Sequence, residues 1–261
     1  MPAVDSGAEG RERSLEPLAG RSASRVFFVS EAGYVVEASA VEPSSSPGDT
    51  AETRVTFGPD RGSQRLEQRV IAFRPGRSRP RSPGGRQEVL YVVSGEGSLG
   101  LAAGQEYRLQ PDTAVLVAPG QAYSVETGTG LEVVSVLCPS QRATRGPCLV
   151  SRFADRPEEQ ADDYRSFRVL IETSVTAFVG LVKPSRAPDH AHPYDEVGYI
   201  LEGQGIAHVG GRSTPIGPGF CFHLPPEEVH CIENLGPGLM RILGVFYPSG
   251  SPASRVYEQS V

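Results

Sequence analysis

The chain has 261 residues, 23 of them Pro and 30 Gly, no Trp, and a net charge of −6. This length supports one large or two medium domains with a proper core, and the negative balance argues against a nucleic-acid footprint. No stretch approaches the roughly 18 apolar residues that span a bilayer, so no membrane partner is expected.

Residues 1–25 (MPAVDSGAEGRERSLEPLAGRSASR) lack the apolar stretch of a secretory signal and read as a disordered leader. Beyond them, apolar runs are short and punctuated by Gly or Pro, the texture of strands and turns. Residues 26–145 are read as the first unit. Within it, Phe73 to Arg86 (FRPGRSRPRSPGGR) is a Pro/Gly-rich basic loop, either solvated or a lip that grips an anion. Residues 146–164, polar and charged, read as a linker. Residues 165–261 form the second unit, where EVGYILEGQG, IAHVGG, CFHLP and HCIEN are short strands separated by Gly or Pro turns. Cys138, Cys148, Cys221 and Cys231 show no CxxC pairing, which predicts a reduced, cytoplasmic protein. Cys221 and Cys231 lie beside the histidines and are expected to be sensitive to oxidation, though not to be ligands.

The two units repeat one another. QEVLYVVSGEGSLGL (Gln87 to Leu101) matches DEVGYILEGQGIAHV (Asp195 to Val209), pairing Glu88 with Glu196, Gly95 with Gly203 and Gly97 with Gly205. LQPDTAVLVAPGQAY then matches PIGPGFCFHLPPEEVH, and the units close on VLCPS and VFYPS. The period is too long for a solenoid or propeller and has the size of a domain. Many short strands in two copies predict an all-β chain of two similar sandwiches or barrels.

All five histidines, His190, His192, His208, His223 and His230, fall in the second unit. His190 and His192 are two apart, so on a strand they face the same side, and Glu196 lies four further in the same phase. His230 arrives from the neighbouring hairpin. Three neutral imidazoles and a carboxylate suit a first-row transition metal. The set leaves two open octahedral positions, unlike a closed structural zinc site, which usually involves thiolates. His208 sits between the core-facing Ala207 and Val209, so surface or interface packing is expected for it. In the first unit the aligned positions are Ser82, Gly84 and Tyr123. Only Glu88 is retained there, and one carboxylate cannot hold a transition metal.

The second unit resembles the cupin superfamily of small jelly-roll barrels. His190, His192, Glu196 and Gly203 match the first cupin motif, with Pro184 or Ser185 where its leading Gly would stand. Pro225, His230 and Asn234 match the second motif, with Glu227 in place of the turn Gly. The resemblance implies two tandem cupin (double-stranded β-helix, jelly-roll) barrels, the first without metal ligands. It assigns His190, His192, Glu196 and His230 to one divalent metal, with Fe, Mn or Ni ahead of Zn, Co or Cu.

Cupins host many reactions, so the fold alone does not name one. In size and in its metal-free first half the chain resembles (S)-ureidoglycine aminohydrolase, whose order of ligands (Glu, His, His, Gln) differs from this one. The 3-His-1-Glu set is instead similar to that of quercetinase-type and acireductone-type dioxygenases and of oxalate decarboxylases. That resemblance implies a metal-dependent oxidoreductase, dioxygenase-like, on a small oxygenated organic molecule, with Glu196 as ligand and proton acceptor. A metal-dependent isomerase, decarboxylase or aminohydrolase, or a non-catalytic binding cupin, is the alternative. Arg186, Tyr199 and His223 are the candidate substrate contacts. Two fused barrels satisfy pairwise packing within one chain, so a monomer or homodimer is expected.

Overall fold

Strands appear in both halves where the repeat places them. The computed structural model describes residues 26–28, 34–141, 146–254 and 256–257. Among the described residues there are strands and short 3-10 turns but no α-helix, and no helix is long and apolar enough to cross a membrane. The fold is all-β with two jelly-roll barrels, as the sequence predicts.

The larger sheet of the first barrel is antiparallel, with Gln87–Gly95 and Leu131–Cys138 at its centre. Thr113–Val117 and then Cys148–Arg152 extend it on one side, Glu67–Phe73 and Ala51–Phe57 on the other. Opposite lies the smaller sheet of Gly76–Arg77, Tyr123–Thr127, Gly97–Leu101 and Glu106–Leu109. The second barrel repeats this order. Asp195–Glu202 and Met240–Tyr247 are central, flanked by Phe220–Leu224 with Tyr34–Glu37, and by Thr176–Val182 with Arg165–Glu172. Its facing sheet contains Arg212–Ile216, Gly205–Val209, His230–Asn234, His190–Ala191 and Val256–Tyr257. Gly95 and Gly203, paired by the repeat, both hold positive φ, at 80° and 91°, so the same turn recurs at the same place.

Two expected boundaries are corrected. Residues 34–37 do not belong to the first barrel's sheets; Tyr34–Glu37 pairs with Phe220–Leu224 of the second. Nor are residues 146–164 a bare linker, because Cys148–Arg152 forms the edge strand beside Thr113–Val117 of the first barrel. Each barrel therefore takes an outer strand from beyond its own repeat. The physical reason is edge pairing: an uncovered edge strand leaves a row of backbone donors and acceptors unsatisfied. The disordered leader expected at residues 1–25 lies outside the described residues.

The barrels meet through the outer faces of their larger sheets. One face of Gln87–Gly95 sends Leu90 and Val92 into its own barrel, while Val89 and Tyr91 pack against the other. In the second barrel Val197, Tyr199, Leu243 and Val245 face the junction. Strands buried on both faces read as near-continuous apolar runs, such as VLYVV and GVFY, rather than as alternation. Two amides bond across the junction: Gln68 Nε2 donates to the Gly198 carbonyl (3.1 Å) and Gln87 Nε2 to Ser174 Oγ (2.7 Å).

Candidate metal centre

His190 and His230 stand directly opposite each other on neighbouring antiparallel strands. His192 follows two residues after His190, and the three rings lie 4.5–5.2 Å apart, centroid to centroid. One ligand atom from each falls within 4.8 Å of the others, and all three residues are buried. The central sheet brings Glu196 to the same cavity, with Oε2 3.9 Å from His192 Nε2. The structure thus brings together all four residues that the spacing selected.

Each imidazole is oriented by a backbone carbonyl. His190 Nδ1 donates to Pro188 (3.1 Å), His192 Nδ1 to Ser254 (3.1 Å) and His230 Nδ1 to Glu228 (2.8 Å). A carbonyl only accepts, so Nδ1 carries a proton in each ring, and in the neutral tautomer Nε2 keeps its lone pair. Tying the non-ligating nitrogen in this way fixes both tautomer and ring angle for a metal. Burial above all, followed by His230, the Arg165 guanidinium and His192, holds the His190 imidazole far below its usual pKa. Three buried imidazoles with one carboxylate fit a divalent first-row metal, which would take from Arg165 the His190 Nε2 lone pair that its Nη1 engages in this structure.

The loops that carry these residues are held locally. Glu227, in place of the motif's Gly, adopts φ 66° and its N–H donates to the His192 carbonyl (2.8 Å). Its hairpin is therefore intact despite the departure. Asn234 is buried and saturated: its Nδ2 donates to the Val182 (2.9 Å) and Gly238 (2.7 Å) carbonyls, and its Oδ1 accepts from Gly236 N–H (2.9 Å).

A cavity of about 80 Å³ opens beside the triad, walled mainly by apolar side chains including Phe167, Phe178, Phe222 and Phe246. Its shape depends on two glycines. Phe178, Gly244, Gly198 and Phe222 lie in one row across four adjacent strands, and the two rings lie over the glycines. A Cβ at Gly198 would approach Phe222 to 2.0 Å, and one at Gly244 would approach Phe178 to 2.3 Å. Among the described residues lining the cavity the one guanidinium is that of Arg165, at the start of strand Arg165–Glu172. Arg165 Nη1 donates to His190 Nε2 (3.1 Å), and Asp162 Oδ2 accepts from Arg165 Nε (3.2 Å) and Nη2 (3.1 Å).

The expected substrate contacts are corrected. Arg186 is exposed and paired with Asp189 at 2.9 Å. Tyr199 points to the junction, where its hydroxyl donates to Glu132 Oε1 (3.3 Å). His223 lies on the same outer face, bonded to Asp195 Oδ1 (2.7 Å) with Phe57 of the first barrel nearby. Alternation is the cause: if Glu196 points inward, Tyr199 three residues on points outward, as does His223 between the cavity-lining Phe222 and Leu224. Arg165 escaped the sequence reading because it stands at the edge of the supposed linker. His208 is on the outer face, as alternation predicts, between Ser213 Oγ and Glu233 Oε2, both at 2.8 Å. Cys221 and Cys231 are fully buried, and burial pushes the Cys231 thiol up to about 11 and that of Cys221 higher still. Neither is poised for oxidation, because the reactive form is the thiolate.

Comparison with known proteins agrees with this architecture. Residues 178–246 match the cupin domain family. A 54-residue stretch is 35% identical to an uncharacterised protein of Methanocaldococcus jannaschii, covering 21% of this chain and 43% of that one. The chain thus matches less than half the length of this curated relative. Among solved structures, a candidate glyoxylate-induced protein of Pseudomonas aeruginosa superposes with a TM-score of 0.73 at 22% identity, over 91% of this chain and 97% of that one. Oxalate decarboxylase of Bacillus subtilis superposes with a TM-score of 0.67 at 12% identity, over 86% and 79%.

Proposed function

We propose that this chain, of the cupin superfamily and with a bicupin layout, is a metal-dependent oxidoreductase of dioxygenase type acting on a small oxygenated organic acid. One observation carries the reading: three imidazoles and one carboxylate converge in a cavity whose other walls are mainly apolar, with Arg165 as its guanidinium. His190, His192 and His230, with Glu196, are the residues to hold the metal. A bound divalent ion supplies Lewis acidity there and, if redox-active, electron transfer to O2. Mn(II) centres belong to the oxalate decarboxylase of similar fold, which sets manganese beside iron and nickel among the ions to load.

The chain's own residues have separable tasks. Arg165 suits a substrate carboxylate, since a guanidinium offers a planar fork of donors and Asp162 fixes its approach. The ring of Phe178, Phe222 and Phe246 excludes water and strengthens each charge interaction inside. Glu196, on the same cavity with Oε2 3.9 Å from His192 Nε2, is the carboxylate available to accept a proton from substrate.

The experiment is oxygen uptake by protein loaded separately with Fe(II), Mn(II) and Ni(II), against a panel of small enolic and hydroxylated carboxylates. Uptake that is lost in His192→Ala and weakened, through a raised KM, in Arg165→Gln supports the proposal. Product formation under strict anaerobiosis would replace it with the isomerase, decarboxylase or aminohydrolase reading. No turnover under either condition, with metal bound, would favour a binding role.

A further inference from the structure

The first barrel has its own pocket at the place where the second has its triad. Arg81 is paired backbone to backbone with Tyr123, through Arg81 N–H to the Tyr123 carbonyl (2.8 Å) and the reverse bond (2.9 Å). This is the register of His190 against His230. Arg81, rather than the sequence-aligned Ser82, thus occupies the place of His190, Tyr123 that of His230, and Glu88 that of Glu196. The pocket they border has a volume of about 280 Å³.

The charges in this pocket are only partly paired. Glu88 accepts from Tyr123 Oη (2.9 Å) and from Ser135 Oγ, so both of its oxygens are engaged by hydroxyls. Asp49 Oδ1 accepts from the backbone amides of Ala51 (3.2 Å) and Arg79 (3.0 Å), and its Oδ2 stays 3.9 Å from Arg81 Nη1. Arg69 is held by Glu67 through Nε at 2.7 Å. Arg81 thus keeps a loose ion pair with Asp49 and donates through Nη2 to Thr53 Oγ1 (3.2 Å), while the exposed Arg79 has no carboxylate at hydrogen-bond distance among the described residues.

We infer that the first barrel is a second binding site, for a small hydroxylated carboxylate, with Arg79 and Arg81 on the carboxylate and Glu88 and Asp49 receiving hydroxyls. Guanidinium forks match a carboxylate in geometry and charge. Two acids on the same cavity disfavour a ligand that is anionic throughout, such as phosphate, and instead suit a ligand carrying donors. The site takes no metal, and its occupancy is independent of the triad.

Calorimetric titration tests this with gluconate and L-tartrate as probes, and acetate, sorbitol and inorganic phosphate as controls. It is run on the full chain carrying His192→Ala, so that chelation at the second barrel contributes nothing. One hydroxy acid per chain is expected to bind at least about tenfold more tightly than any control. Arg79→Gln, on an exposed side chain, and Arg81→Lys are each expected to weaken it by roughly tenfold or more. Absence of binding by both hydroxy acids up to about 10 mM, or binding indifferent to both arginine variants, would overturn the site. Phosphate binding as tightly as the hydroxy acids would overturn the ligand class.

Discussion

Gly244→Ala tests whether the glycine row sets the cavity. The added Cβ would lie 2.3 Å from the Phe178 ring, more than about 1 Å inside ordinary carbon contact. Phe178 is buried against Phe246 (4.8 Å) and Phe167 (6.4 Å), both walls of the same cavity. The ring cannot retreat into the sheet, so it moves toward the metal-side space. Overpacking of this kind costs about 1–3 kcal/mol, which for a chain of this size lowers Tm by roughly 3–10 °C. The triad sits on the opposite sheet, so metal content should hold while binding of a chelating probe such as oxalate weakens; misplacement by about 1 Å can cost 100-fold in turnover. Calorimetry, elemental analysis and an oxalate titration read the three effects. An unchanged Tm with unchanged oxalate affinity would refute the account, and so would loss of the metal.

Three further outcomes are expected. His190→Ala, His192→Ala and His230→Ala should each remove most bound metal on purification, by a factor above about 100 in affinity, while Tyr123→Phe should retain it; elemental analysis reads both. Glu227→Gly should stabilise the fold by about 0.5–1 kcal/mol, because the exposed Glu227 holds a left-handed backbone that glycine adopts freely; the urea midpoint should rise. Burial alone would raise the Glu67 carboxyl, but the Arg86 hydrogen bond and the Arg69 charge outweigh it and hold its pKa below the usual range. Such a depressed carboxylate contributes stability above its unfolded pKa and loses it as pH falls. Arg86→Gln should accordingly cost about 0.5 kcal/mol at pH 7, discounted for the partial exposure of Arg86, and almost nothing near pH 3. Equal costs at both pH values in urea titrations would contradict that pairing.

What the sequence made legible was whatever depends on short-range periodicity. His190, His192 and Glu196 share a phase along the chain, and the structure places them on one cavity. The repeat likewise located both barrels and their matching turns. What stayed hidden depends on partners remote in sequence. The exchanged strands Tyr34–Glu37 and Cys148–Arg152 are invisible to a reading by repeat because each pairs outside its own copy. Arg165 precedes His190 by a whole hairpin and shares no motif with it. Tyr199 and His223 are a different case, since the parity that placed Glu196 inside already put them outside. Proximity in sequence is not proximity in space there.

Comparison of the two barrels separates what the fold requires from what the chemistry requires. Both keep the positive-φ glycine of the central strand's turn and the inward carboxylate, Glu88 or Glu196. Both also set a cross-strand pair opposite each other on the smaller sheet, Arg81 with Tyr123 or His190 with His230. The backbone register is thus indifferent to which side chains it presents. In the second barrel those positions carry imidazoles tied to carbonyls, and Glu196 lies on the same cavity beside them. In the first a guanidinium and a phenol take the same places, and Glu88 turns to the hydroxyls of Tyr123 and Ser135. A cation fixed at the position of a ligating nitrogen opposes a metal ion electrostatically. Where the second barrel presents nitrogens that fit a metal, the first presents a cation that is covalently part of the chain, and a guanidinium selects anionic oxygen ligands.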